Sequence, residues 1–119
     1  MAVRNDQLEA IARVALSHDV DPVPWEGAPE WRRVAMAAVA LAAIGASGLS
    51  RADHAFSAWL LSLTTSGWKW GPGFDERERT HPGIITHGGG LPRVDTTHWT
   101  TLVDAVRTEA KAVGLWVTE

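Results

Sequence analysis

Residues Gly67–Gly83 read GWKWGPGFDERERTHPG. Two tryptophans flank Lys69, two glycines flank Pro72, the charges of Asp75–Arg79 alternate, and His81-Pro82-Gly83 forms a turn signal. Neither the 3.6-residue period of a helix nor the two-residue period of a strand runs through the stretch. It is either a loop held for a ligand or an elaborate turn between regular elements.

The flanking sequence favours helices on both sides. Upstream, Phe56, Trp59, Leu60 and Leu63 form an amphipathic stripe that ends at Gly67, and Ser50 with Asp53 makes a capping-box pattern at its start. Further back, Glu30 lies near the positive end of a helix that begins at Pro29, places Trp31, Val34, Ala38, Leu41 and Ala42 on one face, and stops at Gly45 and Gly48. The connector before it, HDVDPVPWEGAP (His18–Pro29), holds too many prolines to be helical and carries Trp25. Leu8, Ile11, Ala12, Ala15 and Leu16 predict a first helix over about Asp6 to Ser17, with Asp6 and Glu9 as its capping box. Downstream, IITHGGGLPRVD (Ile84–Asp95) reads as a short strand entering a glycine turn. A last helix follows, capped by Asp95, Thr96 or Thr97, with Trp99, Leu102, Val103, Val106, Ala110 and Val113 as its apolar positions and Gly114 as its stop. The expected fold is mainly α: four helices, with one irregular insert between the third and fourth that has room for a small two-stranded element.

At 119 residues and 45% apolar content the chain is expected to be one domain, residues 1–119, with a single core. It has no cysteine, which excludes disulfides, thiolate zinc sites and thiol nucleophiles. A formal net charge of -3 supplies no general attraction for nucleic acid or an anionic membrane, so neither is an expected partner. VAMAAVALAAIGASGL (Val34–Leu49) is too short and glycine-interrupted to span a bilayer and reads as a buried helix. The charged start MAVRNDQLEA lacks a secretion signal's apolar stretch, so a cytoplasmic location is expected. Seven tryptophans against two phenylalanines and no tyrosine are the compositional outlier, suited equally to filling a core and to stacking on planar ligands.

PWEGAPEWRR (Pro24–Arg33) together with Trp59, Gly67-Trp68, Gly71-Pro72, Asp75–Arg79 and His81-Pro82 followed by Ile84-Ile85 resembles, in order and spacing, the ryanodine-receptor repeat (RyR) domain. The similarity covers roughly Leu8 to Val113 and is of the kind seen in single-domain bacterial or phage forms. The resemblance implies two helical hairpins with a small β element, and pairing of modules, here as a homodimer. It further implies a non-enzymatic binding module for an adenine-containing nucleotide or a nucleotide-derived signal of cyclic or ADP-ribose type, used in phage or bacteria to sense or sequester a host signal. No cofactor is implied. Trp59 occupies the position that stacks on adenine when two modules face each other, and Trp31 and Trp68 match signature positions of the fold. Leu63 stands where relatives commonly carry a basic residue, which removes a phosphate contact there, and Trp70 stands where they usually have tyrosine.

Periodicity alone makes Trp59 a core residue; the resemblance makes it a ligand wall. Trp70 and Trp25, in irregular segments, are further wall candidates. Lys69, Arg77, Arg79, Arg32 and Arg33 are the choices for an anion, since guanidinium forks match phosphate oxygens. The competing reading of Asp75–Arg79 is internal charge pairing on a wet surface. The candidate ligand-binding set is therefore Trp59, Trp70, Lys69, Arg77, Trp25 and Arg32, with no catalytic or metal residue. His81, His87 and His98, with Asp75 or Asp95, define the alternative of a metal site, although no two of these histidines have the i, i+4 spacing of a helical pair. His81 is expected to be structural. The alternative to nucleotide binding is an adaptor whose tryptophans and charged loop form a protein interface.

Overall fold

The computed structural model describes residues 3–19, 21–46, 51–82, 84 and 96–118, without the side chain of Thr96. The four helices are α1 (Asn5–Ser17), α2 (Glu30–Gly45), α3 (Arg51–Thr65) and α4 (Thr96–Ala112); between α3 and α4 lie two short paired strands, β1 (Lys69–Trp70) and β2 (Thr80–His81). α1 packs on α2 and α3 on α4, while α2 against α3 and α1 against α4 complete the bundle. The expected mainly helical fold with a small β element is therefore the observed one.

Details at the helix starts differ from the sequence reading. In α1 the capping contact comes from Gln7, whose Oε1 accepts the backbone N–H of Arg4 at 3.0 Å. Asp6 accepts from the Arg4 side chain instead, and Glu9 pairs with Arg13 one turn on, so the expected Asp6–Glu9 box does not form. Pro29 is the residue before α2, not its first, and no side chain caps that end. The proposed cap Ser50 and the second stop Gly48 lie outside the described residues, as does the expected strand from residue 85 to 95; Ile84, its first residue, is buried but not in a strand.

The core side of α2 is Ala35, Met36, Val39, Ala40, Ala43 and Ile44. The face expected from periodicity is the outer one: Val34 and Leu41 are 52% and 41% exposed. Every residue from Val34 to Ala46 is apolar, so spacing could not choose between the two sides of this helix.

Both α3 and α4 end as their glycines predict. Gly67 (φ 90) donates to the Thr64 carbonyl at 3.1 Å and Trp68 to that of Leu63 at 3.0 Å; Gly114 (φ 83) donates to Lys111 at 3.2 Å and Leu115 to Ala110 at 2.8 Å. This is the Schellman pattern, in which a left-handed residue lets the chain satisfy the last carbonyls and return an apolar side chain to the core. Trp68 and Leu115 are those side chains, and both are buried. The far end of α2 is closed by other means: buried Arg107 of α4 donates to the carbonyls of Ala43 and Ala46 at 2.9 and 3.3 Å. α1 and α4 are joined by the Gln7 amide, which donates to the Val113 carbonyl at 2.9 Å.

The insert folds on itself. β1 and β2 run parallel, with Lys69 beside Thr80 and Trp70 beside His81, while Asp75 and Thr80 form an antiparallel bridge with amide-to-carbonyl bonds of 3.1 and 3.0 Å in the two directions. The turn between them needs a left-handed residue, supplied by Arg79 (φ 55), whose guanidinium donates to the Ser66 carbonyl. Gly71 is required where it stands, because a Cβ there would meet the Cβ of Thr80 at 2.6 Å. Most of Gly67–Gly83 is thus turn chemistry, and the two strands sit inside it, not after it.

Candidate functional site

α3 delivers Trp59 into an aromatic cluster. Phe56, one turn earlier, stacks on it at 6.0 Å; Trp99 of α4 meets it edge-on at 6.4 Å, and His81 of β2 at 5.0 Å. The indole is 9% exposed, so within one chain Trp59 lines the core and not an open cavity. A second aromatic row runs from Trp31 through Trp68 and Phe74 to His81, with centroids 4.5, 5.8 and 5.9 Å apart. The Trp31 indole N–H also donates to Glu76 at 3.1 Å.

His81 belongs to both rows. Burial pushes its imidazole below the ordinary value; the nearby Asp19 carboxylate opposes that shift and the Arg32 guanidinium adds to it. Arg32 itself is tied to Asp19 at 3.1 Å and to the Asp21 carbonyl, with little exposure. Its fork fastens the connector to the start of α2.

The other candidates scatter. Lys69 and Trp70 are exposed on β1, Trp70 by 57%, and Arg77 is exposed in the 75–80 turn. Among the described residues the charges of Asp75–Arg79 form no ion pair with one another. The pairing expected within that block is replaced by bonds to the backbone and to Trp31: Asp75 accepts the Glu78 N–H at 3.1 Å, and Glu76 serves Trp31.

Trp25 is placed differently. The connector turns once at Trp25–Gly27 as a 3₁₀ turn, with the Gly27 N–H on the Pro24 carbonyl at 3.0 Å and that of Ala28 on Trp25 at 3.2 Å. This lays the half-buried indole beside a groove between α1 and α2 of about 370 Å³, lined by Leu8, Glu9, Trp25, Glu30, Arg33 and Val34 among others. The guanidinium carbons of Arg13 and Arg33 lie over its ring, 5.7 and 6.0 Å from the centroid. Arg13 is bound by Glu26 at 2.8 Å and Glu9 at 3.3 Å, whereas the Arg33 Nε is buried with no hydrogen-bond partner.

Arg13, Glu30 and Val34 were not among the residues the sequence reading placed at a site, and Arg33 was only one of several possible anion contacts. A signal was present in the Arg32-Arg33 dipeptide at the helix start. Neighbouring residues on a helix project about 100° apart, so one arginine had to leave the other's site. A second groove of about 300 Å³ is lined by Val3, Ile44, Gly45, Leu115 and Trp116.

Among the described residues no three histidine, aspartate or glutamate side chains converge as metal ligands, and His87 and Asp95 of the alternative metal site lie outside them. Among the same residues no helix is long and apolar enough to cross a membrane. Comparison of the chain with protein-family models, curated proteins and solved structures gave no match.

Proposed function

We propose that the protein is a non-enzymatic binding module for a nucleotide-derived small molecule, with adenine-containing nucleotides the first class to test, and that Trp25 rather than Trp59 forms its stacking wall. One observation carries this: a half-buried tryptophan, with the Arg33 guanidinium over its ring, lies beside an open groove of about 370 Å³ between α1 and α2. Ligand sites combine apolar walls with a few placed polar groups in this way. Base stacking on an aromatic contributes about 1–3 kcal/mol, enough to matter in a small groove. The resemblance to RyR domains supports the same ligand class and a dimeric module that senses or sequesters its ligand, although it points to a different tryptophan.

The test is a thermal-shift and fluorescence titration against adenine nucleotides, ADP-ribose and cyclic nucleotides. A ligand that binds only the native state at about 100 times its Kd adds roughly 2.7 kcal/mol of stability, a clear rise in Tm. Trp25→Ala should abolish that rise and leave the helical circular dichroism unchanged. If no nucleotide raises Tm, or the variant binds normally, the proposal fails. The adaptor alternative is favoured by one observation of its own: Trp70 and Phe74, 57% and 56% exposed, stand on the same insert.

A further inference from the structure

The outward side of α2 is unlike that of its neighbour α1. A surface helix carries polar residues towards solvent, and α1 does so with Asn5, Asp6, Glu9, Arg13 and Ser17. Beyond Glu30 the exposed positions of α2 are Val34, Leu41 and Gly45, with Ala38 half-buried between them. These four recur at intervals of four, three and four residues, which places them in one narrow stripe with the spacing of a helix-packing seam. The other three helices pack on the opposite side of α2, where Met36, Val39, Ala40 and Ala43 are buried, so no described helix covers this seam. Its residues also alternate in size. Val34 and Leu41 are large, Ala38 and Gly45 small, and a Cβ added at Gly45 would meet nothing within 4 Å.

We infer that this seam receives the α2 helix of a second copy of the chain, the two helices running antiparallel about a two-fold axis between Ala38 and Leu41. In that register Val34 meets the partner's Gly45 and Leu41 meets the partner's Ala38, so each large side chain enters the space over a small one, and the two-fold repeats each contact. Parallel pairing would instead set Val34 and Leu41 each against its own copy and leave gaps at Ala38 and Gly45. Charge favours the same arrangement. No charged residue occurs from Val34 to Ala46, and antiparallel packing separates the charged ends at Glu30, Arg32 and Arg33 while opposing the helix dipoles. α2 is about 24 Å long and the α1–α2 pair about 20 Å wide, a face of roughly 500 Å² per copy that reaches the ~1,000 Å² total of a specific interface. Trp116, 68% exposed and sharing a groove with Gly45, extends the apolar surface at one end. Val34 also lines the Trp25 groove, so each groove sits at an end of the seam, and the pairing itself requires no ligand.

Sedimentation velocity of the full chain without ligand, from about 1 to about 300 µM, should show a monomer–dimer equilibrium, since that range brackets the micromolar affinity expected of a small interface. Leu41→Glu, which sets a carboxylate against the partner's Ala38, should weaken the dimer at least about tenfold and leave the helical circular dichroism unchanged. Leu61→Glu, at a 67% exposed position of α3, is the control and should leave dimerisation as it was. The chain has no cysteine, so single-cysteine variants report the register without background. Val34→Cys and Gly45→Cys chains, mixed and oxidised, should cross-link to each other; neither should cross-link to itself, because like positions lie about 17 Å apart along the antiparallel helices, beyond the reach of a disulfide. A monomer across the whole range, or a dimer that tolerates Leu41→Glu, overturns the proposal. Self-linking of either single-cysteine chain overturns the antiparallel register.

Discussion

Gly71→Ala should unfold the insert for a reason confined to three atoms. The added Cβ would lie 2.6 Å from the Cβ of Thr80, 3.0 Å from its Oγ1 and 3.1 Å from its Cγ2. Ordinary carbon contacts are about 3.5–4.0 Å, so β1 and β2 would have to separate by roughly 1 Å. That separation acts on the ladder itself, where Gly71 donates to the His81 carbonyl at an already long 3.3 Å and Lys69 to that of Arg79 at 2.9 Å. Overpacking of this kind costs about 1–3 kcal/mol, and in a chain of this length each kcal/mol lowers Tm by roughly 3–6 °C. Urea denaturation of wild type, Gly71→Ala and Gly73→Ala measures it, because a Cβ at Gly73 meets nothing within 4 Å and is the matched control. Thr80→Gly removes all three opposing atoms, so the double variant should recover about 1–2 kcal/mol relative to the sum of the singles. If Gly71→Ala is as benign as Gly73→Ala, or shows no coupling to Thr80, the close approach of the two strands is refuted.

Three further outcomes follow from the core. Trp59→Ala should lose about 3–5 kcal/mol in chemical denaturation, because it empties the space between Phe56, Trp99 and His81; a loss below about 1 kcal/mol would show that the indole is not core. Arg107→Ala should cost about 1–3 kcal/mol with the denaturant slope unchanged, since it takes the buried donor from the Ala43 carbonyl and leaves that of Ala46 only the 3.4 Å contact from Arg51, and Arg107→Lys should recover only part. The lowered pKa of His81 gives stability a defined pH dependence: the unfolded imidazole takes up its proton near 6.5, before the folded one. Stability should be full above that value, decline as pH falls below it, and level off below the folded value, and His81→Gln should remove this portion of the decline in urea midpoints measured across the window.

Much of the architecture was legible because its signals are local. Gly67 and Gly114 end α3 and α4 through backbone geometry that glycine adopts freely, and the apolar stripes of α3 and α4 point to the core as written. α2 was misread for a physical reason: a helix with no polar residue from Val34 to Ala46 has no periodicity to orient it, and only packing against α1, α3 and α4 selects its inner side. The candidate site was less legible still. Trp59 and Trp25 are the same residue type with the same potential for stacking, and only their surroundings separate a core indole from one beside a groove. Arg32 and Arg33 diverge by a single helical step, one to the Asp19 carboxylate and the other to Trp25, a difference that exists only once α1 and the connector are in place.

The Trp31–Trp68 pair, 4.5 Å apart and tilted by 42°, gives the molecule an intrinsic optical reporter. Two indoles at this separation couple their electronic transitions and produce an exciton signal in circular dichroism that neither gives alone. Trp31 belongs to α2 and Trp68 opens the insert, so the couplet measures attachment of the insert to the bundle, separately from the amide bands of the helices. Loss of the couplet before the helical bands on heating would show the insert detaching as its own cooperative unit, and Trp31→Phe would identify the signal by removing it.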